Sequence, residues 1–204
     1  MNRAEKFGIA SFAIASGSAI PYLIGVWSGD FRPSLTSWIL WTMIGLVMLL
    51  SYRSAGATRE NIWMGIVAFT NPLAVVLVRI YKGGAVEPPT SLEWVAAGVC
   101  AIALFVWSRG HRSPDHAKTA LVASIVADVC AAIPTTLLAW SAPLSEQPIP
   151  WSLYVVAMVV GLFSITKRTW DQYALPVYGL LLGLSVAVPT IVYRLLSGPG
   201  LPWF

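Results

Sequence analysis

Ala19-Ile20-Pro21, Trp27-Ser28 and Trp38 return along the chain as Ala132-Ile133-Pro134, Trp140-Ser141 and Trp151, each 113 positions further on (Pro134 against Pro21). The same register pairs Ala10 with Ala123, Ser11 with Ser124, Leu40 with Leu153 and Ser51 with Ser164. A two-residue shift then pairs Arg79 with Arg194. Self-similarity at a fixed spacing marks a diverged tandem duplication, here of a unit of roughly 75 residues. The fold follows from what a doubled hydrophobic unit can build.

Hydrophobic residues make up 57% of the 204-residue chain and charged residues 11%, with a mean hydropathy of +0.71. A water-exposed surface cannot be made from that balance, which excludes an ordinary soluble domain. The net charge of +4 does not indicate nucleic acid, because the basic residues sit in short connectors between apolar runs and act as topology signals. Cys100 and Cys130 both fall inside apolar runs and read as small packing residues rather than a disulfide. The opening Asn2-Arg3-Ala4-Glu5-Lys6 precedes an apolar run about the length of a bilayer span, without a convincing small-residue cleavage site. It reads as the first helix rather than a signal peptide.

Seven apolar runs are separable, at 7–27, 35–52, 61–81, 92–107, 119–140, 151–166 and 173–196. Segments this uniformly apolar satisfy their backbone groups in lipid only as helices, so the expected class is all-α integral membrane with seven transmembrane helices. Run 92–107 would cover only about 24 Å at 1.5 Å per residue, and it needs its flanks, with Arg109 snorkelling, to cross. It is also the run without a repeat partner. Turn and breaker residues fill the connectors, as in Ser28-Gly29-Asp30, Gly83-Gly84, Pro88-Pro89 and Ser113-Pro114-Asp115. Four crossings separate the two copies, which gives the second copy the orientation of the first. The expected plan is therefore two parallel three-helix bundles, 7–82 and 119–197, joined by a linker helix at 92–108 and related by a pseudo-two-fold axis along the membrane normal.

With proline late in the first helix of each bundle, at Pro21 and Pro134, this layout resembles the PQ-loop superfamily and the SWEET sugar transporters within it. The resemblance covers nearly the whole chain. Where that family often has Pro-Gln, this sequence has Pro21-Tyr22 and Pro134-Thr135. The resemblance implies a uniporter or proton-coupled carrier of a small polar solute, sugar-like or another metabolite, that rocks two bundles around a site near the bilayer midplane. Orientation departs from the family. Arg3, Lys6, Arg53, Arg59, Arg109, Arg112, Lys118, Lys167 and Arg168 fall on the N-terminal side, against Arg32, Arg79, Lys82 and Arg194 on the other. The positive-inside rule then puts the N-terminus in the cytoplasm of a cell (plasma or inner) membrane, whereas SWEET-like carriers run the other way.

Asp128 is the sharpest chemical signal, because it lies mid-run between Ala127 and Val129. A carboxylate there costs about 2.5–3.5 kcal/mol on insertion scales, so it is expected to face the bundle interior. Its repeat mate is Ala15, so the fold does not demand the charge. It reads either as a proton- or substrate-binding carboxylate or as a structural one bonded to a neighbouring helix. Asn71 sits mid-run before Pro72, which cannot donate a backbone bond and so frees carbonyls of the preceding turn. The SWEET-like resemblance implies a pocket asparagine on the third helix, and the alternative is a helix-packing amide.

Pro21, Pro72, Pro134, Pro176 and Pro189 interrupt apolar runs and read as hinges for alternating access or as static kinks. Trp27, Trp38, Trp140 and Trp151 fall at helix ends on one membrane side, as in an aromatic belt. Trp41 and Tyr154 lie one turn deeper at equivalent positions and are the expected pocket walls. Arg79 and Arg194 close the third and seventh runs, where snorkelling or pairing with the C-terminal dipole explains them.

His111, Asp115 and His116 share one short connector without a further ligand cluster, so no metal is expected. Without G-x-S-x-G, H-E-x-x-H or a phosphate-cradling glycine loop, neither an enzyme nor a cofactor is expected. A retinal protein is excluded because 173–196 contains no lysine, and an intramembrane enzyme is disfavoured because Asp128 has no second convincing buried carboxylate. The expected function is a carrier binding a small-molecule substrate, and possible protons, through Asn71, Asp128, Trp41 and Tyr154, with Pro21, Pro72, Pro134 and Pro189 as hinges. The alternative is a receptor, sensor or partner-binding protein on the same fold. The lipid bilayer is a partner, nucleic acid is not, and oligomerisation is open.

Overall fold

The computed structural model describes residues 1–29, 33–110 and 112–197, the side chain of Ser145 excepted. Arg32 and His111, which entered the charge count and the metal reading, lie outside the described residues. The described chain forms α1 (Arg3–Ser28), α2 (Leu35–Ser54), α3 (Ile62–Tyr81), α4 (Ser91–Gly110), α5 (Pro114–Ser141), α6 (Pro148–Leu162) and α7 (Trp170–Leu196). A short 3-10 turn, Pro143–Ser145, leads into α6. By length and composition α1 to α5 and α7 can each cross a membrane, which fits a multi-pass membrane protein. Large apolar side chains such as Ile24, Leu77, Ile102, Leu137 and Leu181 are exposed along these helices, as lipid-facing positions require.

Two helices differ from their apolar runs. The helix α4 is longer than 92–107 because Thr90 and Glu93 form a capping box: the Glu93 amide donates to Thr90 Oγ1 (3.3 Å) and the Thr90 amide to Glu93 Oε2 (2.6 Å). At its other end the Arg109 guanidinium lies over the Phe105 ring, 5.1 Å from the centroid. Conversely, α6 has 15 residues, about 22 Å, which is short for roughly 30 Å of hydrocarbon. It stops at Leu162 because the amides of Phe163 and Ser164 turn back to Val160 and Gly161. The Ser164 hydroxyl then occupies the Gly161 carbonyl as well. All five interior prolines lie within helices that continue past them.

Packing follows small residues. Helix α3 lies against both α1 and α2, and α7 against both α5 and α6. Across the molecule α1 meets α6, α2 meets α5, and α4 leans on α5 and α2. Buried Ala96, Cys100 and Ala103 on α4 share one core with Leu121 and Ala127 on α5 and with Ile44, Val47, Met48 and Tyr52 on α2. A second core joins Ala15 on α1, Met64 and Val67 on α3, and Ala157 and Met158 on α6. Close approach of backbones is what alanine and glycine permit in lipid, where helices gain little from hydrophobicity. Gly45 is the tightest case between α2 and α3: a Cβ there would meet the Ala68 carbonyl oxygen at 2.1 Å.

The two arginines at the ends of α3 and α7 make equivalent contacts. Arg79 Nε donates to the Pro33 carbonyl and Arg194 Nη2 to the Glu146 carbonyl, both at 3.0 Å. Pro33 and Glu146 are themselves 113 positions apart, each shortly before the second helix of its copy. Arg194 does not snorkel: it is 5% exposed and also donates to the carbonyls of Pro143 and Thr190. The Thr190 contact, one turn back on its own helix, matches the expected use of a cation at a helix C-terminus. Arg79 adds an ion pair with Glu87 at 3.5 Å.

Candidate functional site

A cavity of about 420 Å³ lies between the helices, within the range typical of small-molecule sites. Its wall takes Asn71 and Pro72 from α3, Trp38 and Trp41 from α2, Asp128 and Pro134 from α5, Trp151 and Tyr154 from α6, and Tyr178 from α7. The four expected site residues, Asn71, Asp128, Trp41 and Tyr154, therefore line one space. Of the expected hinge prolines, Pro72 and Pro134 line it and Pro21 and Pro189 do not.

Asp128 and Asn71 are each fixed by a neighbouring helix. Tyr178 on α7 donates its hydroxyl to Asp128 Oδ2 at 2.6 Å, and among the described residues Asp128 Oδ1 accepts no hydrogen bond. Asn71 Nδ2 donates 2.9 Å to the carbonyl of Ala15, the position on α1 that mirrors Asp128 on α5. Asn71 is thus both a packing amide and a cavity residue. The aromatic wall repeats with the sequence. Trp38 and Trp41 meet edge to face (centroids 5.0 Å, 88°), as do Trp151 and Tyr154 (6.3 Å, 86°). One helical turn separates the members of each pair, and that spacing generates the contact. Trp38 and Trp151 therefore belong to the cavity wall, not to a lipid-facing belt, whereas Trp27 and Trp140 are exposed.

Asp128 is not the lone buried carboxylate that the sequence suggested. Glu93 and Glu146, each 7% exposed, line the same cavity. Glu93 is held by the Ser37 hydroxyl and the Thr90 amide. Glu146, in the connector before α6, accepts the Trp151 indole N–H at 3.1 Å through Oε2, while Oε1 has no partner among the described residues. Burial pushes the Glu146 carboxyl above its ordinary value, with the indole hydrogen bond pulling the other way. The Thr90-x-x-Glu93 spacing is a readable capping signal, but nothing in the residue pattern singles out Glu146 or Tyr178.

The cavity is unequal at its two ends. It reaches Pro33, Ser34, Thr90 and Glu146, all in or beside the connectors that precede α2, α4 and α6. No described residue of the opposite connectors lines it, and there a buried polar cluster joins α2, α7 and the segments flanking α3 and α6. Asn61 donates Nδ2 to the Gln172 carbonyl (3.1 Å) and accepts the Ser164 hydroxyl (3.0 Å). Tyr52 donates to the same Gln172 carbonyl at 3.1 Å. Tyr52, Asn61, Ser164 and Gln172 are all at most 2% exposed, and Lys118 pairs with the adjoining Asp171 at 3.6 Å. Sequence periodicity missed this closure because its members sit at helix ends and register only as connector polarity.

Among the described residues no three His, Cys, Asp or Glu side chains converge as metal ligands. No protein-family model, characterised protein or solved structure matches this chain, so the site stands on its own chemistry.

Proposed function

We propose that the protein is a membrane carrier of a small solute, with alternating access to the cavity between two three-helix bundles. The observation that carries this reading is the unequal cavity: polar and aromatic groups from α1 to α7 converge on a space that reaches one set of connectors and is sealed from the other by a hydrogen-bonded cluster. A pure receptor needs a ligand pocket but no second, closable end. Asn71, Asp128, Trp41 and Tyr154 bind the substrate, and Pro72 and Pro134, at the wall, let α3 and α5 bend. The 3+1+3 plan of SWEET-like carriers is supported by the pairings: exchanging α1, α2 and α3 for α5, α6 and α7 maps each bundle and cross-bundle contact onto another, with α4 left as linker. The matching Arg79 and Arg194 contacts support parallel copies, since both reach the entry to a second helix. With the N-terminus cytoplasmic, as the basic residues predict, the closed end faces inward.

The test is solute uptake into proteoliposomes holding the purified chain, with and without a pH gradient, screened over sugars, nucleosides, amino acids and organic amines. Saturable uptake above that of empty vesicles, reduced by Trp41→Ala, is the expected result. Binding of a solute without uptake of any would replace the carrier with the receptor reading, and N-terminal reporter fusions found outside would reverse the orientation.

A further inference from the structure

We infer that the cavity selects an organic cation, a protonated amine or quaternary ammonium compound of modest size, rather than a neutral sugar or an anion. This rests on the carrier reading only for transport; the ligand class follows from the wall itself. Three carboxylates line the cavity, Asp128, Glu93 and Glu146, and among the described residues its wall contains no lysine, arginine or histidine. The ion pairs among the described residues, Glu5 with Arg59, Glu87 with Arg79 and Asp171 with Lys118, do not include these three carboxylates, and the Arg194 guanidinium beside Glu146 contacts its backbone carbonyl. Glu93 has its oxygens occupied by Ser37 and Thr90, which leaves Asp128 Oδ1 and Glu146 Oε1 as the acceptors still open to a ligand.

The aromatic wall gives the second, independent argument. Trp38 with Trp41, and Trp151 with Tyr154, present two repeat-related edge-to-face pairs to one space. Indole and phenol faces attract cations through the ring quadrupole and are the recurrent means of holding quaternary ammonium groups, which carry no N–H to donate. Among the described residues Arg3, Lys82 and Arg109 lie over Phe7, Trp27 and Phe105, so the protein cations do not occupy the cavity faces. A neutral sugar gains no Coulomb attraction from the three carboxylates, whereas a cation does. Of the donors at the wall, one Asn71 N–H is engaged at Ala15 and the Tyr178 hydroxyl at Asp128.

The experiment compares ligands that share a shape and differ in charge. The purified full chain in detergent is titrated calorimetrically with choline, with its neutral isostere 3,3-dimethylbutanol, with the anion 3,3-dimethylbutyrate and with glucose, and benzyltrimethylammonium serves as a larger cation. Choline or benzyltrimethylammonium is expected to bind about tenfold or more tightly than the neutral isostere, and the anion and glucose more weakly still. Asp128→Asn and Glu146→Gln should each lower the cation preference. Trp41→Leu should lower it too with every charge in place, which keeps the test decisive if a carboxylate variant does not fold. Equal binding of choline and dimethylbutanol, preferred binding of the anion or glucose, or no preferential binding of either cation would overturn the inference. Cation binding without uptake into proteoliposomes would overturn the carrier alone. Uptake of a neutral solute without cation binding would overturn the cation alone.

Discussion

Asp128 and Tyr178 form a pair whose two ends answer to different substitutions. Asp128→Asn keeps the size and an acceptor for the Tyr178 hydroxyl, so thermal unfolding in detergent should stay near wild type while solute uptake falls. Asp128→Leu removes the acceptor and leaves that hydroxyl without its partner, which should cost about 1–3 kcal/mol in the same unfolding assay. An Asn variant as unstable as the Leu variant would make the carboxylate structural. Glu87, outside the spans, gives a pH test. Burial pushes its carboxyl up, but hydrogen bonds from its own amide, the Thr36 and Leu35 amides and the Ser34 hydroxyl hold it below the ordinary 4.5. A depressed folded value means that its stabilisation is fully present above pH 4.5 and disappears as pH falls through the folded value. Glu87→Gln should therefore destabilise at neutral pH by about 1 kcal/mol, the usual worth of a helix cap, and the deficit should close in acid. A deficit that persists in acid would assign the effect to packing instead. At this scale the sequence could expose Asp128, because a charge inside an apolar run is conspicuous. It could not expose Glu146, whose burial depends on how the connector before α6 folds over the Trp151 indole.

Helix contacts depend on small residues, and Gly45 shows the strictest requirement. Its missing Cβ leaves room for the Ala68 carbonyl of α3, so Gly45→Val must push α2 and α3 apart and should destabilise by about 1–3 kcal/mol, read as a lower unfolding temperature in detergent. Gly17 is the control, because a Cβ there meets nothing within 4 Å, and Gly17→Ala should leave the unfolding temperature nearly unchanged. Equal losses at both positions would count against the packing argument. Hydropathy reveals that seven helices exist, since each is a long apolar run. It misjudged α4 and α6 because helix ends are chosen by hydrogen bonds that hydropathy does not record. The Thr90–Glu93 box starts α4 early, and the turns at Phe163 and Ser164 stop α6 early. The repeat was legible further than the boundaries. It put Trp41 and Tyr154 at equivalent positions one turn from Trp38 and Trp151, and each meets its neighbour edge to face.

Across the whole molecule the carrier reading makes Asn61 the latch of the closed end, since it ties Ser164 to Gln172. Asn61→Ala should shift the protein toward opening on that side. With Cys100 and Cys130 replaced, a cysteine at cavity position Ala68 should then react with a membrane-impermeant maleimide from the N-terminal face, which wild type protects. Unchanged labelling in vesicles of known sidedness would remove Asn61 from the gate. This latch was invisible in the sequence because it joins residues more than a hundred positions apart. A wall whose described residues include no lysine, arginine or histidine has an electrical consequence. A cation that crosses while the carboxylates stay fixed, with no protein cation moving against it, carries one net charge inward per cycle. A negative interior works on that charge at about 2.3 kcal/mol per 100 mV, so the membrane voltage itself would concentrate the solute. In vesicles loaded with potassium, valinomycin should accelerate choline uptake by making the lumen negative. Indifference to valinomycin would mean that the passenger travels neutral or exchanges its charge for a proton, whereas acceleration would tie uptake through this wall to the voltage of the membrane.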